Sequence, residues 1–113
     1  MSSKEKTLKK WESATDEKWN TVEAVLESYG FILKKTTANG SHLTYIHPVL
    51  AEIIKKVPPD SYIHRSFAPN GQIIVIRHGN TVYSEVLKRI LFSIEILEED
   101  ARIRQTHNKK TNN

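Results

Sequence analysis

The dipeptide Asn39-Gly40 constrains this chain more than any other feature. It separates Phe31–Thr37 (FILKKTT) from Ser41–His47 (SHLTYIH), two strand-like runs. Asn-Gly supplies the two positive-φ residues that a tight type I′ turn prefers, so an antiparallel hairpin is expected here. Alternation along the second strand places His42, Thr44 and Ile46 on one face, with Leu43, Tyr45 and His47 on the other. Pro48 ends that strand.

Helical periodicity surrounds the hairpin. Trp19, Val22, Val25, Leu26 and Tyr29 follow the i, i+3, i+4 spacing of one buried face and predict a helix over about 16–29. Thr15 is its expected N-cap, Asp16 and Glu17 suit the positive end of its dipole, and Gly30 is the natural residue past its end. Residues 49–59 put Leu50, Ile53, Ile54 and Val57 on one stripe between Pro48 and Pro58-Pro59, which predicts a short helix. Ser61–Phe67 reads as a loop or weak strand, Pro69-Asn70-Gly71 as a turn, and Gln72–Arg77 (QIIVIR) as the clearest strand. A second main helix is expected from Ser84, with Leu87, Ile90, Leu91 and Ile94 as its stripe. Its end stays open, because Ile94 and Ile96 equally suit a short extended piece.

The order is helix, strand, strand, inserted helix, strand, helix. It implies an α+β fold: a small antiparallel three-stranded sheet, both main helices on one face, the other face open. At 113 residues the chain is one domain, expected over 15–100 with the insertion at 49–71. Residues 1–14, with Leu8 and Trp11 among Lys and Glu, form a short helix or a frayed arm. Residues 101–113 are polar and basic, and disorder is expected there.

The net charge of +4 divides unevenly. Residues 1–10 carry +3 and residues 101–113 carry +4, so the tails produce much of the basicity. Within the body, residues 28–84 sum to +4 between acidic flanks of −4 (11–27) and −3 (85–100). That basic centre fits an anionic partner better than the total does. With no cysteine, disulfides and thiol nucleophiles are excluded. No apolar run approaches the roughly 20 residues that span a bilayer, and the first residues lack a signal-peptide stretch, so a cytoplasmic location is expected.

Several strings then occur in a telling order: Tyr29-Gly30-Phe31, Asn39-Gly40-Ser41-His42, Tyr45-x-His47-Pro48, Ile74-Val75-Ile76-Arg77-His78-Gly79-Asn80, and Leu87-x-x-Ile90-Leu91. Together they resemble the HicA-type toxins, small mRNA interferases of toxin–antitoxin modules, over roughly residues 18–95. The resemblance implies a fold like the double-stranded-RNA-binding domain, metal-independent cleavage of mRNA, and a HicB-like antitoxin as protein partner. This chain departs from the family in the long connection Val49–Gly71, in Ile76 where a proline is frequent, and in its N-terminal arm.

His42 matches the family's catalytic histidine. Histidine suits the task in any case, because its unperturbed pKa of about 6.5 keeps base and acid forms populated near neutrality. Gly40 and Ser41 are candidates to hold a phosphate through backbone N–H groups and the Ser41 hydroxyl, or simply to shape the hairpin. His47 and His78, each ending a strand, either contact phosphate or serve as hydrogen-bonded structural residues. Lys34, Lys35, Arg77, Lys88 and Arg89 form the candidate RNA-backbone set, though Lys34 and Lys35 point to opposite faces and only one can line the site. Tyr45 and Phe31 suit the core better than base stacking, and Trp11 and Trp19 are expected to be structural. The histidines at 42, 47, 64 and 78 do not make a metal site, since 42 and 47 face opposite ways on a strand. No cofactor is expected. Two rival readings keep the fold: a non-catalytic RNA-binding module, and a protein-interaction domain using the inserted helix.

Overall fold

The computed structural model describes residues 3–61, 67 and 71–111, the side chains of 107–111 excepted. Most of the expected Ser61–Phe67 segment, His64 included, and the turn residues Pro69 and Asn70 lie outside the described residues. In chain order the elements are α1 (Ser3–Trp11), β1 (Asp16–Lys18), α2 (Trp19–Ser28), β2 (Ile32–Thr36), β3 (His42–Ile46), α3 (Pro48–Lys56), β4 (Ile73–Ile76), β5 (Thr81–Tyr83) and α4 (Ser84–Thr111). The class is α+β, as the pattern implied. To the expected three-stranded sheet, two main helices and inserted helix, the described residues add the N-terminal helix α1 and a separate ribbon of β1 with β5; the sheet is ordered β2-β3-β4 and all pairings are antiparallel.

The ribbon explains why α2 starts late. Residues 16–18 were expected to be its first turn, but Asp16 pairs with Tyr83 and Lys18 with Thr81. Thr15 does not cap the helix either. Its carbonyl accepts from Ser84 N–H at 3.0 Å, and Trp19 N–H goes to the Asn80 carbonyl at 2.9 Å. Partners distant in sequence satisfied these groups before local capping could.

The other end of α2 follows its local signal. Gly30, at φ +88°, donates to the Glu27 carbonyl at 3.1 Å, and Phe31 N–H donates to that of Leu26 at 3.0 Å, the doubled closure of a Schellman motif. A Cβ at Gly30 would also lie 3.3 Å from His47 Nε2, so glycine is required twice over.

The core lies between the three-stranded sheet and the helices. Leu43 and Tyr45 of β3, with Ile73 and Val75 of β4, join Val22, Val25 and Leu26 of α2 and Leu87, Ile90 and Ile94 of α4 in one buried cluster. Each such aliphatic side chain contributes about 1.5–3 kcal/mol. Trp11 is fully buried in the same cluster, and its indole N–H donates to Glu17 Oε2 at 3.0 Å, so the N-terminal segment is a docked helix rather than a frayed arm. The inserted helix α3, with Pro48 in its first turn, buries Leu50 and Ile54 on the body.

One open question and one expectation are decided at α4. It begins at Ser84 as predicted, but it passes straight through Ile94 and Ile96 and continues to Thr111, where disorder was expected. Glu99 pairs with Arg102, and Asp100 with Arg104 at 2.8 Å, one turn apart along the same side, which is how a polar segment is held helical. Among the described residues no helix is long and apolar enough to cross a membrane.

Candidate functional site

His42 opens β3 at the mouth of the hairpin, exposed, on the face of the sheet turned away from the core. The loop beside it is not the two-residue type I′ turn that Asn39-Gly40 suggested. Gly40 N–H donates to the Thr37 carbonyl at 2.9 Å, so Ala38 and Asn39 are the central residues and Gly40 follows them at φ +73°. The loop is wider because the Asn39 side chain organises it. Its Oδ1 accepts from Ser41 N–H at 3.1 Å, Ser41 Oγ at 2.8 Å and Thr37 Oγ1 at 2.9 Å. Thr37 Oγ1 in turn accepts from His42 N–H at 3.2 Å.

This network fixes the imidazole tautomer. A backbone N–H can only donate, so the atom it meets on Asn39 is the carboxamide oxygen. That oxygen carries no proton, so the Ser41 hydroxyl proton lies on the Ser41–Asn39 bond. Ser41 Oγ therefore offers only lone pairs to His42 Nδ1, 2.9 Å away, and the ring proton sits on Nδ1. The outer nitrogen, Nε2, keeps its lone pair and, among the described residues, has no partner. It is placed to accept a proton from an incoming hydroxyl.

The same bonds correct the phosphate-cradle expectation. Gly40 N–H, Ser41 N–H and the Ser41 hydroxyl proton all have partners within the loop. Gly40 and Ser41 shape the loop and orient the ring; they are not free donors for an anion.

Two basic side chains lie beside the hairpin. Lys35 lies opposite Thr44, one alternation from His42 on the same open face, whereas the register slips at Lys34 in a β-bulge. Both lysines are exposed, and the bulge breaks the strict alternation on which the expectation of opposite faces rested. Arg77 N–H donates to the Ser41 carbonyl at 2.9 Å. Its guanidinium lies beside Gly40, where a Cβ would be 3.9 Å from Nη2, and 5.3 Å above the Trp19 ring. Around His42 and Lys35 the strands place Ile32, Thr44, Ile46, Ile74 and Ile76 on the open face, with no acid among the described strand residues there.

Two other candidates leave the set. Both ring nitrogens of His47 are occupied: Nδ1 accepts from Val49 N–H at 3.2 Å, and Nε2 therefore carries the proton and donates to the Tyr29 carbonyl at 2.9 Å. The ring is buried edge-on against Phe31 and caps α3, so it is not an RNA ligand. Lys88, with Arg89, is exposed on α4, which packs behind the sheet; neither joins His42 on the open face. His78 is exposed, flanks the Gly79-Asn80 turn and lies 5.2 Å from the Tyr83 ring. Phe31 and Tyr45 are core residues. Burial first, then the charges of Glu23 and Glu27, push the Tyr45 hydroxyl up to about 12.

Thr37, Asn39 and Trp19 are the functional neighbours that residue-type reasoning passed over. The Thr-x-Asn-Gly-Ser spacing was visible, but Asn39 was credited only with turn propensity. Comparisons with protein-family models, curated proteins and solved structures find nothing that matches this chain.

Proposed function

We propose that this protein is a HicA-like endoribonuclease that cuts mRNA without a metal, using His42 as general base and acid, on a sheet-and-helix arrangement like the double-stranded-RNA-binding domain. The observation that carries the reading is the exposed Nε2 of His42, held as a proton acceptor through Ser41 and Asn39 on an open face with no acidic side chain among its described strand residues. The ordered strings from Tyr29 to Leu91 support it independently.

In this mechanism Nε2 takes the proton of a ribose 2′-hydroxyl. The 2′-oxygen attacks the neighbouring phosphorus, the bond from phosphorus to the 5′-oxygen breaks, and the same proton passes to that leaving oxygen. The products are a 2′,3′-cyclic phosphate and a 5′-hydroxyl, with atoms and charge conserved. Arg77 and Lys35 offset the negative charge on the phosphate oxygens during attack. The partner is an acidic HicB-like antitoxin, matched by the +4 charge of residues 28–84, and the cell compartment is the cytoplasm.

A second reading, a binding module without catalysis, is favoured by one feature. Ile32 is half-exposed and Ile74 over a third exposed on the open face, more apolar surface than cleavage requires. The deciding experiment incubates purified wild type and His42→Ala with a defined single-stranded RNA and analyses the 3′ ends. The nuclease reading expects cyclic-phosphate ends from wild type and a loss of about 10²–10⁴-fold in the variant. Equal cleavage by both proteins removes it, and binding without cleavage by wild type establishes the second reading.

A further inference from the structure

One aromatic pair stands outside the core. Tyr83 presents 50% of its surface to solvent and is the one aromatic among the large exposed apolar side chains of the described residues. Its ring centroid lies 5.2 Å from that of His78, also exposed, with the two planes tilted by 56°. Backbone bonds hold the pair in place. His78 N–H donates to the Thr81 carbonyl at 2.8 Å, and Thr81 N–H donates to the His78 carbonyl at 3.1 Å, closing the Gly79-Asn80 turn between them. Val82 is fully buried, so the alternation of β5 turns Tyr83 outward.

The pair continues the open face that carries His42. His42 stands opposite Ile76, and the bond from Arg77 N–H to the Ser41 carbonyl, at 2.9 Å, extends the pairing by one residue. Alternation then returns His78 to the His42 side, roughly 7 Å beyond Ile76 along the chain. A nucleotide next to the one at His42 reaches the two rings. The ribbon face around Tyr83 is balanced in charge, with Asp16 opposite Tyr83 and Lys18 opposite Thr81. Such a face offers little to a phosphate. An exposed ring, by contrast, offers a flat apolar surface to a base.

We propose that Tyr83 and His78 form a base-stacking subsite for unpaired RNA, which receives the base of a nucleotide beside the one at His42. The inference rests on the nuclease reading and adds to it a selection of substrate. Bases inside a duplex are already stacked on one another, so the subsite takes its base from a single-stranded or looped segment. Stacking requires only a π-face, so it fixes the position of the strand with little regard to which base is bound. Contacts from Arg77 and Lys35 to phosphate exist for paired and unpaired RNA alike. The aromatic pair is what tells the two apart.

The test measures binding of a fluorescent single-stranded RNA by anisotropy on the His42→Ala background, where the strand stays intact. Tyr83→Ala should weaken binding about 5- to 100-fold with an unchanged salt dependence, because the phosphate contacts persist. Tyr83→Phe keeps the ring and should bind like the parent. Tyr83→Leu, as apolar but without a π-face, should behave like the alanine variant, and both bulky replacements guard against a merely unfolded protein. A duplex of the same sequence should bind all four proteins equally. Tyr83-dependent binding by a wild type that never cleaves keeps the subsite and removes the nuclease reading. Cleavage and binding indifferent to Tyr83→Ala overturn the subsite and leave that reading standing. A Tyr83→Phe protein as weak as Tyr83→Ala, a duplex that loses affinity as the single strand does, or a wild type that binds no RNA also overturns the subsite.

Discussion

His42 and His47 lie five residues apart at the two ends of β3, and they have opposite fates. At His42 the ring stands on the open face, one nitrogen bound to Ser41 and the other turned to solvent. At His47 the ring is buried, and both nitrogens are bound to backbone groups of Val49 and Tyr29. An odd separation on a strand guarantees opposite faces. The chemistry of imidazole is the same in both places; what differs is whether a lone pair is left over. A histidine with both nitrogens committed is a structural part, and one with a free, oriented nitrogen is available for proton transfer.

That contrast breaks most readily at His42. His42→Ala should remove RNA cleavage by about 10²–10⁴-fold and leave the melting temperature unchanged within error. A parallel loss of stability would mean that the ring is structural after all. The converse holds for His47→Ala, which strands the Tyr29 carbonyl and the Val49 N–H and opens a void beside Phe31. A loss of roughly 2–4 kcal/mol is expected in urea unfolding, with cleavage per folded molecule preserved.

A finer test concerns the tether. Ser41→Ala removes the acceptor of the Nδ1 proton but none of the backbone pairing, so cleavage should fall about tenfold with stability nearly unchanged. Rescue of activity by Ser41→Thr, which restores a hydroxyl, separates orientation from a general disturbance of the loop. Arg77→Met should weaken RNA binding evenly across sequences and reduce the salt dependence by about one phosphate contact.

The smallest effect is one of acid on stability, and it belongs to the buried side of the comparison. Burial disfavours the charge on Glu17, but the Lys18 N–H, the Trp11 indole and Lys10 outweigh it and hold the carboxyl below the usual range. A depressed folded value means that the stabilisation is present above the unfolded value and is lost as pH falls through the folded one. Wild type should therefore lose stability progressively below about pH 4.5. Glu17→Gln should flatten that part of the pH profile, and an unchanged profile would dissociate Glu17 from the docking of α1.

Where a signal is local, the sequence carried it well. Gly30 after an apolar stripe, Pro48 before one and Ser84 ahead of Glu85 all mark helix ends that the structure retains within a residue or so. The alternation of β3 separates His42 from Tyr45 and His47. Local rules failed where a distant partner intervened: Thr15–Lys18 joined Thr81–Ser84 instead of starting α2, and no reading of residues 10–20 contains that partner. The hairpin failed differently. Asn39 had the right propensity for a turn, but three donors converging on its side chain selected a longer loop than Asn-Gly alone implies.

Sequence by itself determined the alternation that turns His42 outward, the apolar stripes that bury α2, α3 and α4, and the basic centre between acidic flanks. These depend on spacing along one chain, which covalent geometry sets. Tertiary structure alone decided the Nδ1 tautomer of His42, the commitment of His47 to Tyr29, the seat of Arg77 between Gly40 and Trp19, and the docking of Trp11. Each of those depends on a group far away in sequence arriving within hydrogen-bond or van der Waals distance, and only the folded chain brings it there.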